Sequence, residues 1–129
     1  MRTLVIGDIH GGLKALHQVL ELAQVTNEDK LIFLGDYVDG WSDVPYLLDF
    51  LQDLSKTNDC VFIKGNHDVY LNDYLSRGNA NRGWLIYGGA LTLMAYKMIG
   101  RDPQEHINFL EQAQFSYIDA DNNLFVHGG

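Results

Sequence analysis

Three short apolar runs, Leu4-Val5-Ile6, Leu31-Ile32-Phe33-Leu34 and Val61-Phe62-Ile63, recur along the chain at intervals of 25 to 30 residues. Each runs into a loop of glycine and polar, potentially chelating side chains. Asp8 and His10 follow the first, Asp36 and Asp39 lie between Gly35 and Gly40 after the second, and Asn66, His67 and Asp68 follow the third. Continuous apolar runs of this length suit strands covered on both faces. Between them, Leu13, Leu16, Leu20 and Ala23 recur at helical spacing and predict a helix over 12–24. Leu47, Phe50, Leu51 and Leu54 give a second helix its buried face, with Ser42 as N-cap, Asp43 in the first turn and Pro45 tolerated there. Strands and helices alternating at this spacing imply an α/β fold with parallel strands and right-handed crossovers. Ligands of such sheets bind beyond the carboxyl ends of the strands, where all three polar clusters lie.

The pattern then changes to helices broken by glycine, 69–75 before Gly78 and 91–99 after Gly88-Gly89, so residues 69–114 are expected to form a helical, cap-like insertion in a single domain spanning 1–129. Asp102 as N-cap, Pro103 at the first helical position and Glu105 three residues after the cap predict one more helix, to about Gln112. Residues 115–119 and 124–127 flank Ala120-Asp121-Asn122-Asn123 and read as a hairpin.

Composition limits the partners. Seventeen acidic against nine basic residues give a formal net charge of −8, with no cluster of Lys or Arg to attract a long nucleic acid. No apolar run approaches the roughly 20 residues of a membrane span, so no membrane partner is expected. The single Cys60 has no intramolecular disulfide partner, and Met1 leads straight into a strand, so a reducing, cytoplasmic setting is the simplest expectation.

Carboxylate, imidazole and amide oxygen are the donor set of hard or borderline divalent cations, and cysteine is absent from every cluster. Two acids in adjacent loops call for a compensating positive charge to stay ionised together. A pair of cations can clamp a phosphoryl group and make water a nucleophile at neutral pH. Taken singly, each of these residues is an ordinary turn residue, and His17, on the first helix without an acid at ligand spacing, reads as an ordinary surface or half-buried histidine. Their joint occurrence at successive strand ends marks a site.

The segments GDIHG at 7–11, GDYVDG at 35–40, GNHD at 65–68 and VHGG at 126–129, in this order, resemble the calcineurin-like metallophosphoesterases, closest to the bacterial serine/threonine phosphatase-like or diadenosine-tetraphosphatase-like branch. Residues 84–96, WLIYGGALTLMAY, also resemble a stretch of that branch. The resemblance implies a layered α/β/β/α sandwich and two divalent metal ions, with manganese favoured among manganese, iron, zinc and magnesium. By position, Asp8 and His10 would bind the first ion and Asp36 would bridge both. Asn66, through its amide oxygen, and His127 would bind the second. His67 would be the general acid, oriented by Asp39, and Asn66 and His67 would also contact the substrate. The implied reaction is in-line attack of a metal-bridging hydroxide on phosphorus in a phosphate monoester or anhydride. A serine/threonine protein phosphatase-like activity on phosphopeptides is the first expectation and hydrolysis of a dinucleoside polyphosphate or other small phosphoester the alternative.

Two departures qualify the resemblance. Gly40 stands where protein phosphatases of the family carry a phosphate-gripping Arg, and Arg77, Arg82 and Arg101 have no assigned part in replacing it. A further histidine motif expected after the HGG stretch is missing from the 129 residues, so much of the second sheet is expected to be absent and one of its faces bare. The expectation is a fragment of a longer protein. The alternative is a truncated, weakly active or inactive metal-binding domain that recruits a partner or self-associates through the incomplete sheet.

Overall fold

In the computed structural model, which describes residues 2–128, the chain opens with β1 (Thr3–Ile6), α1 (Leu13–Leu22), β2 (Lys30–Phe33), α2 (Val44–Thr57) and β3 (Asp59–Phe62). The strands pair in the order β1-β2-β3, both ladders parallel, with Val5 opposite Ile32 and Ile32 opposite Val61. Right-handed crossovers between strands laid down consecutively put both helices on one face of the sheet. Leu4, Ile6, Leu31, Phe33, Cys60 and Phe62 point to that face and share a core with Leu16 of α1 and Val44, Leu47, Leu48 and Leu51 of α2.

The chain continues as α3 (Asn66–Arg77), the short α4 (Arg82–Trp84), a kinked π-type turn over Leu85–Gly89, α5 (Ala90–Ile99) and α6 (Gln104–Gln112). Leu71, Trp84, Tyr96, Phe109 and Leu110 from this segment enter the same core. A polar chain running from the buried His106 to the surface also ties it to α2. The Asp49 carboxylate accepts from His106 Nε2 at 2.7 Å and from Arg101 Nη2, and His106 Nδ1 accepts from the Tyr96 hydroxyl at 2.7 Å.

The hairpin, β4 (Ser116–Ile118) and β5 (Leu124–Val126), is antiparallel with Tyr117 opposite Phe125. These two rings cover Ile32, Val61 and Ile63 on the second face of the main sheet, and Lys30 Nζ donates to the Tyr117 hydroxyl at 2.7 Å. The molecule is therefore layered helix on sheet on hairpin. The hairpin's outer residues Ile118 and Leu124 are 59% and 63% exposed, consistent with a second sheet represented by two strands among the described residues.

Four local expectations are corrected. β1 lies at the sheet edge beyond the reach of the hairpin, so Val5 is half exposed and this strand is not covered on both faces. The first helix ends at Leu22. Asp43, not Ser42, precedes the second helix, because its backbone is still non-helical. The last helix starts one residue late, at Gln104; Pro103 takes the cap position, while the Asp102 carboxylate still accepts the Gln104 N–H at 3.0 Å.

Arg2 and Asp29 clamp the starts of β1 and β2: Nε and Nη2 of Arg2 reach the two carboxylate oxygens at 3.1 and 2.8 Å, and the Thr26 N–H adds a third bond. The bond from Arg2, followed by that from Thr26, pulls the Asp29 carboxyl down to about 2. The unfolded chain binds the proton near the ordinary value of about 3.9, so this contribution is fully present above pH 4 and is lost as pH falls towards 2. An Arg2→Leu variant is expected to be less stable than wild type at pH 5, with the gap narrowing by pH 2. Urea midpoints across that window check it.

Candidate metal centre

All motif loops meet at the carboxyl ends of β1, β2 and β3, and backbone bonds stitch them together. The N–H groups of Ile9 and His10 donate to the Asp36 carbonyl at 3.1 and 3.0 Å, and that of Gly11 to the Tyr37 carbonyl at 2.8 Å. The third loop is joined to the second by Asp68. Its carboxylate, wholly inaccessible, accepts the N–H groups of Asp36 (2.7 Å), Tyr37 (2.9 Å) and Gly65 (2.9 Å). Burial pushes the Asp68 carboxyl up to about 7 against the opposing pull of these three donors. The two loops also touch through backbone: a Cβ placed on Gly65 would lie 2.2 Å from Asp36 Oδ1 and 2.4 Å from Asp36 N.

This frame turns two imidazoles inward with defined tautomers. His10 Nδ1 bonds the Val38 carbonyl at 2.9 Å and His127 Nδ1 the Leu34 carbonyl at 3.0 Å. A carbonyl can only accept, so each Nδ1 carries a hydrogen, and in the neutral ring the lone pair is on Nε2. His10 Nε2 lies 3.6 Å from Asp8 Oδ2 and 3.7 Å from Asp36 Oδ2; His127 Nε2 lies 3.3 Å from Asp36 Oδ2, and its Nδ1 3.8 Å from Asp8 Oδ1. Donor atoms of Asp8, Asp36 and His127 all fall within 4.8 Å of one another. Among the described residues no Lys or Arg is paired with these carboxylates. Two carboxylates, with the His127 imidazole among them and that of His10 beside them, each ring steadied from behind by a carbonyl, are a donor set that suits a divalent cation.

The backbone is held in unfavourable conformations where the chemistry gathers. His10, Asp36 and Asp39 have φ of 47°, 54° and 74°, in the left-handed region that side chains ordinarily avoid. The loop bonds that impose these angles also aim the side chains.

Beside the cluster, His67 Nδ1 bonds Asp39 Oδ2 at 2.7 Å, and the His67 ring lies edge-on to His10 with centroids 5.2 Å apart. Asp39 is buried and accepts two further bonds, from Trp84 Nε1 and from the Thr92 hydroxyl, each at 2.5 Å. Trp84 is in turn held by Gly89, where a Cβ would lie 2.4 Å from the indole ring.

The structure thus brings Asp8, His10, Asp36 and His127 into one cluster and pairs His67 with Asp39. Asn66 is the first residue of α3, exposed, and lines an open cleft with His127, Lys64, Tyr70 and Phe115. A larger cavity of about 750 Å³, between α2, β3 and α6, contains none of the motif residues. Three supporting residues had no assigned role: Asp68, Trp84 and Thr92. Asp68 stands at the third position of a helix whose first residues are also ligand candidates, a capping position visible in sequence. For Trp84 and Thr92 the one signal was the resemblance over 84–96, since neither spacing nor side-chain type links them to Asp39.

The family model described as calcineurin-like phosphoesterase matches residues 1–129. A relative from Marinomonas sp. (strain MWYL1), named bis(5'-nucleosyl)-tetraphosphatase, symmetrical, is 39% identical over all of this chain and 44% of its own length. One of the same name from Proteus mirabilis (strain HI4320) is 28% identical, over all of this chain and 45% of its own. The chain thus spans less than half the length of these relatives. Among solved structures, a proposed diadenosine tetraphosphatase superimposes with a TM-score of 0.73 at 21% identity, covering 98% of this chain and 50% of that one. A metallophosphoesterase from Sphaerobacter thermophilus gives 0.61 at 26% identity, covering 92% and 43%. With its layered fold, its loops at the strand ends and this match along its whole length, the chain belongs to the calcineurin-like phosphoesterases.

Proposed function

We propose that this chain carries the metal-binding and proton-donating core of a phosphoesterase acting on dinucleoside polyphosphates, diadenosine tetraphosphate foremost. The observation that carries the reading is the meeting of Asp8, His10, Asp36 and His127 with the His67–Asp39 pair at one edge of the sheet. Names shared by the relatives favour the dinucleotide over the protein phosphatase expectation, and Gly40, in place of a phosphate-gripping Arg, agrees with that choice.

Asp8, His10, Asp36, His127 and the amide oxygen of Asn66 would hold two divalent ions. Those ions would supply positive charge to the phosphoryl oxygens and acidify water. The remaining chemistry belongs to the chain. Cleavage of a phosphorus–oxygen bond leaves an oxygen that needs a proton. His67, with Nδ1 engaged by Asp39, has Nε2 left to hold and deliver it. Asp39 keeps the ring in that tautomer, and its own carboxylate is held in place by the bonds it accepts from Trp84 on Oδ2 and from Thr92 on Oδ1.

Thr92→Val leaves the buried Asp39 Oδ1 without its donor, and Trp84→Phe takes one of the two donors from Asp39 Oδ2, leaving His67 alone on it. Each is expected to cost about 10-fold or more on substrates with a poor leaving group, part of the roughly 100- to 10,000-fold that a positioned acid supplies. An activated aryl phosphate, whose leaving group needs little protonation, should lose much less. The ratio of the two rates, measured on each variant, checks this.

The reading itself is tested by a substrate panel with manganese: diadenosine tetraphosphate, a phosphoserine peptide and an aryl phosphate, products resolved by chromatography. Metal-dependent turnover fastest on diadenosine tetraphosphate, with ADP as the nucleotide product of symmetrical cleavage, is expected. Equal release with and without metal, or a preference for the peptide, would overturn it.

A further inference from the structure

Two large aromatic side chains beside the site are left in solvent. Trp41 is 67% and Tyr87 is 77% exposed, whereas the neighbouring Tyr37 and Trp84 are buried. Both exposed residues adjoin in sequence a glycine packed against a site residue, Gly40 on His10 and Gly88 on Asp39. A Cβ on Gly11 would lie 2.9 Å from the Trp41 carbonyl oxygen, and one on Gly40 3.3 Å from the His10 carbonyl, so the Gly40–Trp41 backbone lies on the turn that carries His10. One built on Gly88, next to Tyr87, would lie 3.1 Å from Asp39 Cβ and 3.2 Å from Gly40 N. The kinked Leu85–Gly89 turn and the loop after β2 therefore abut at Gly40 and Gly88, the residues next in sequence to Trp41 and Tyr87. Gly40 and Gly88 take φ of 100° and 110°, values open in practice to glycine alone, so this meeting of the two segments is specified by the sequence.

We propose that Trp41, with Tyr87, forms a nucleobase-stacking subsite adjoining the phosphate site. An indole or phenol face accepts any base by stacking without needing charge. That fits a rim where the ion pairs run between the site's own histidines and carboxylates and no cation is paired with them among the described residues. With the phosphate held by the site and a base held by the ring, substrates bearing a nucleoside gain affinity that a bare phosphate or a phosphopeptide side chain does not. The proposal rests on the phosphoesterase reading of the adjoining site, and deepens it by naming what selects the substrate.

The test compares ADP with inorganic pyrophosphate, which differ by the adenosine, in isothermal titrations of the full chain with magnesium. Wild type is expected to bind ADP about 10-fold or more tighter than pyrophosphate, within the range stacking on one aromatic ring supplies. Trp41→Ala should erase most of that difference and leave pyrophosphate affinity unchanged. Trp41→Phe should retain most of it, and Tyr87→Ala should lose a part. Equal affinity of wild type for the two ligands, or ADP binding unaltered in a Trp41→Ala, Tyr87→Ala double variant, would overturn the stacking subsite while leaving the phosphate site standing. Failure of wild type to bind either ligand would remove both.

Discussion

Asp36→Asn is expected to abolish metal-dependent hydrolysis while leaving the fold intact. Asn is among the few residues that tolerate the φ of 54° at this position. Its amide oxygen can keep the bond that Asp36 Oδ1 accepts from the His67 N–H at 3.1 Å. The other oxygen, 3.3 Å from His127 Nε2 and 3.7 Å from His10 Nε2, is then replaced by an NH2 group that repels a cation and offers a hydrogen to the imidazole lone pairs. The loss in metal affinity or activity should be at least about 100-fold, the upper end of what losing even an indirect partner costs. Metal-free stability should hold or rise, because the Asp36 charge repels that of the buried Asp68. Manganese titration and thermal melts of the same sample measure the two effects, and a large loss of both would point to misfolding instead.

Gly65→Ala should do the reverse and break the frame before the ligands. The backbone of Gly65 is extended, with φ of −92° and ψ of 169°, so alanine adds no conformational strain and the effect is steric alone. Its methyl would sit 2.4 Å from the Asp36 backbone nitrogen, which cannot swing aside without surrendering its bond to Asp68. Separating the two loops also loosens the Gly65 N–H and His67 N–H bonds that close the same junction. A destabilisation of about 3 kcal/mol is expected, as for overpacking at a site that cannot relax. That is a fall of roughly 10 °C in the melting midpoint of a domain this size. A midpoint within a degree or two of wild type would show that the loops are not locked together at this point.

How much of this was legible beforehand varies with the kind of interaction. The parallel sheet follows from three apolar runs at regular spacing with helical periodicity between them, and the hairpin follows from its turn residues, both local signals. That Asp8, His10, Asp36 and Asp39 share one edge follows from topology, since parallel strands deliver their loops to the same side. His127 is different, because its approach to Asp36 depends on the hairpin folding back across β2 and β3, which only the resemblance anticipated. The residues that fix the site from behind were the least legible. Trp84 and Thr92 reach Asp39 from 45 and 53 positions away, on a segment whose apolar pattern announces only helices. The double burial expected of β1 failed for a related reason: covering a sheet edge depends on where a distant hairpin ends.

Whether Asp8, His10, Asp36 and His127 hold a metal is measured most directly by pulsed electron paramagnetic resonance of manganese bound to the purified chain. Nuclear modulation from imidazole nitrogen is predicted in wild type and should weaken in both His10→Ala and His127→Ala, with Asp36→Asn binding little manganese at all. Manganese bound equally by wild type and Asp36→Asn, with no nitrogen modulation in either, would contradict the assignment of this centre.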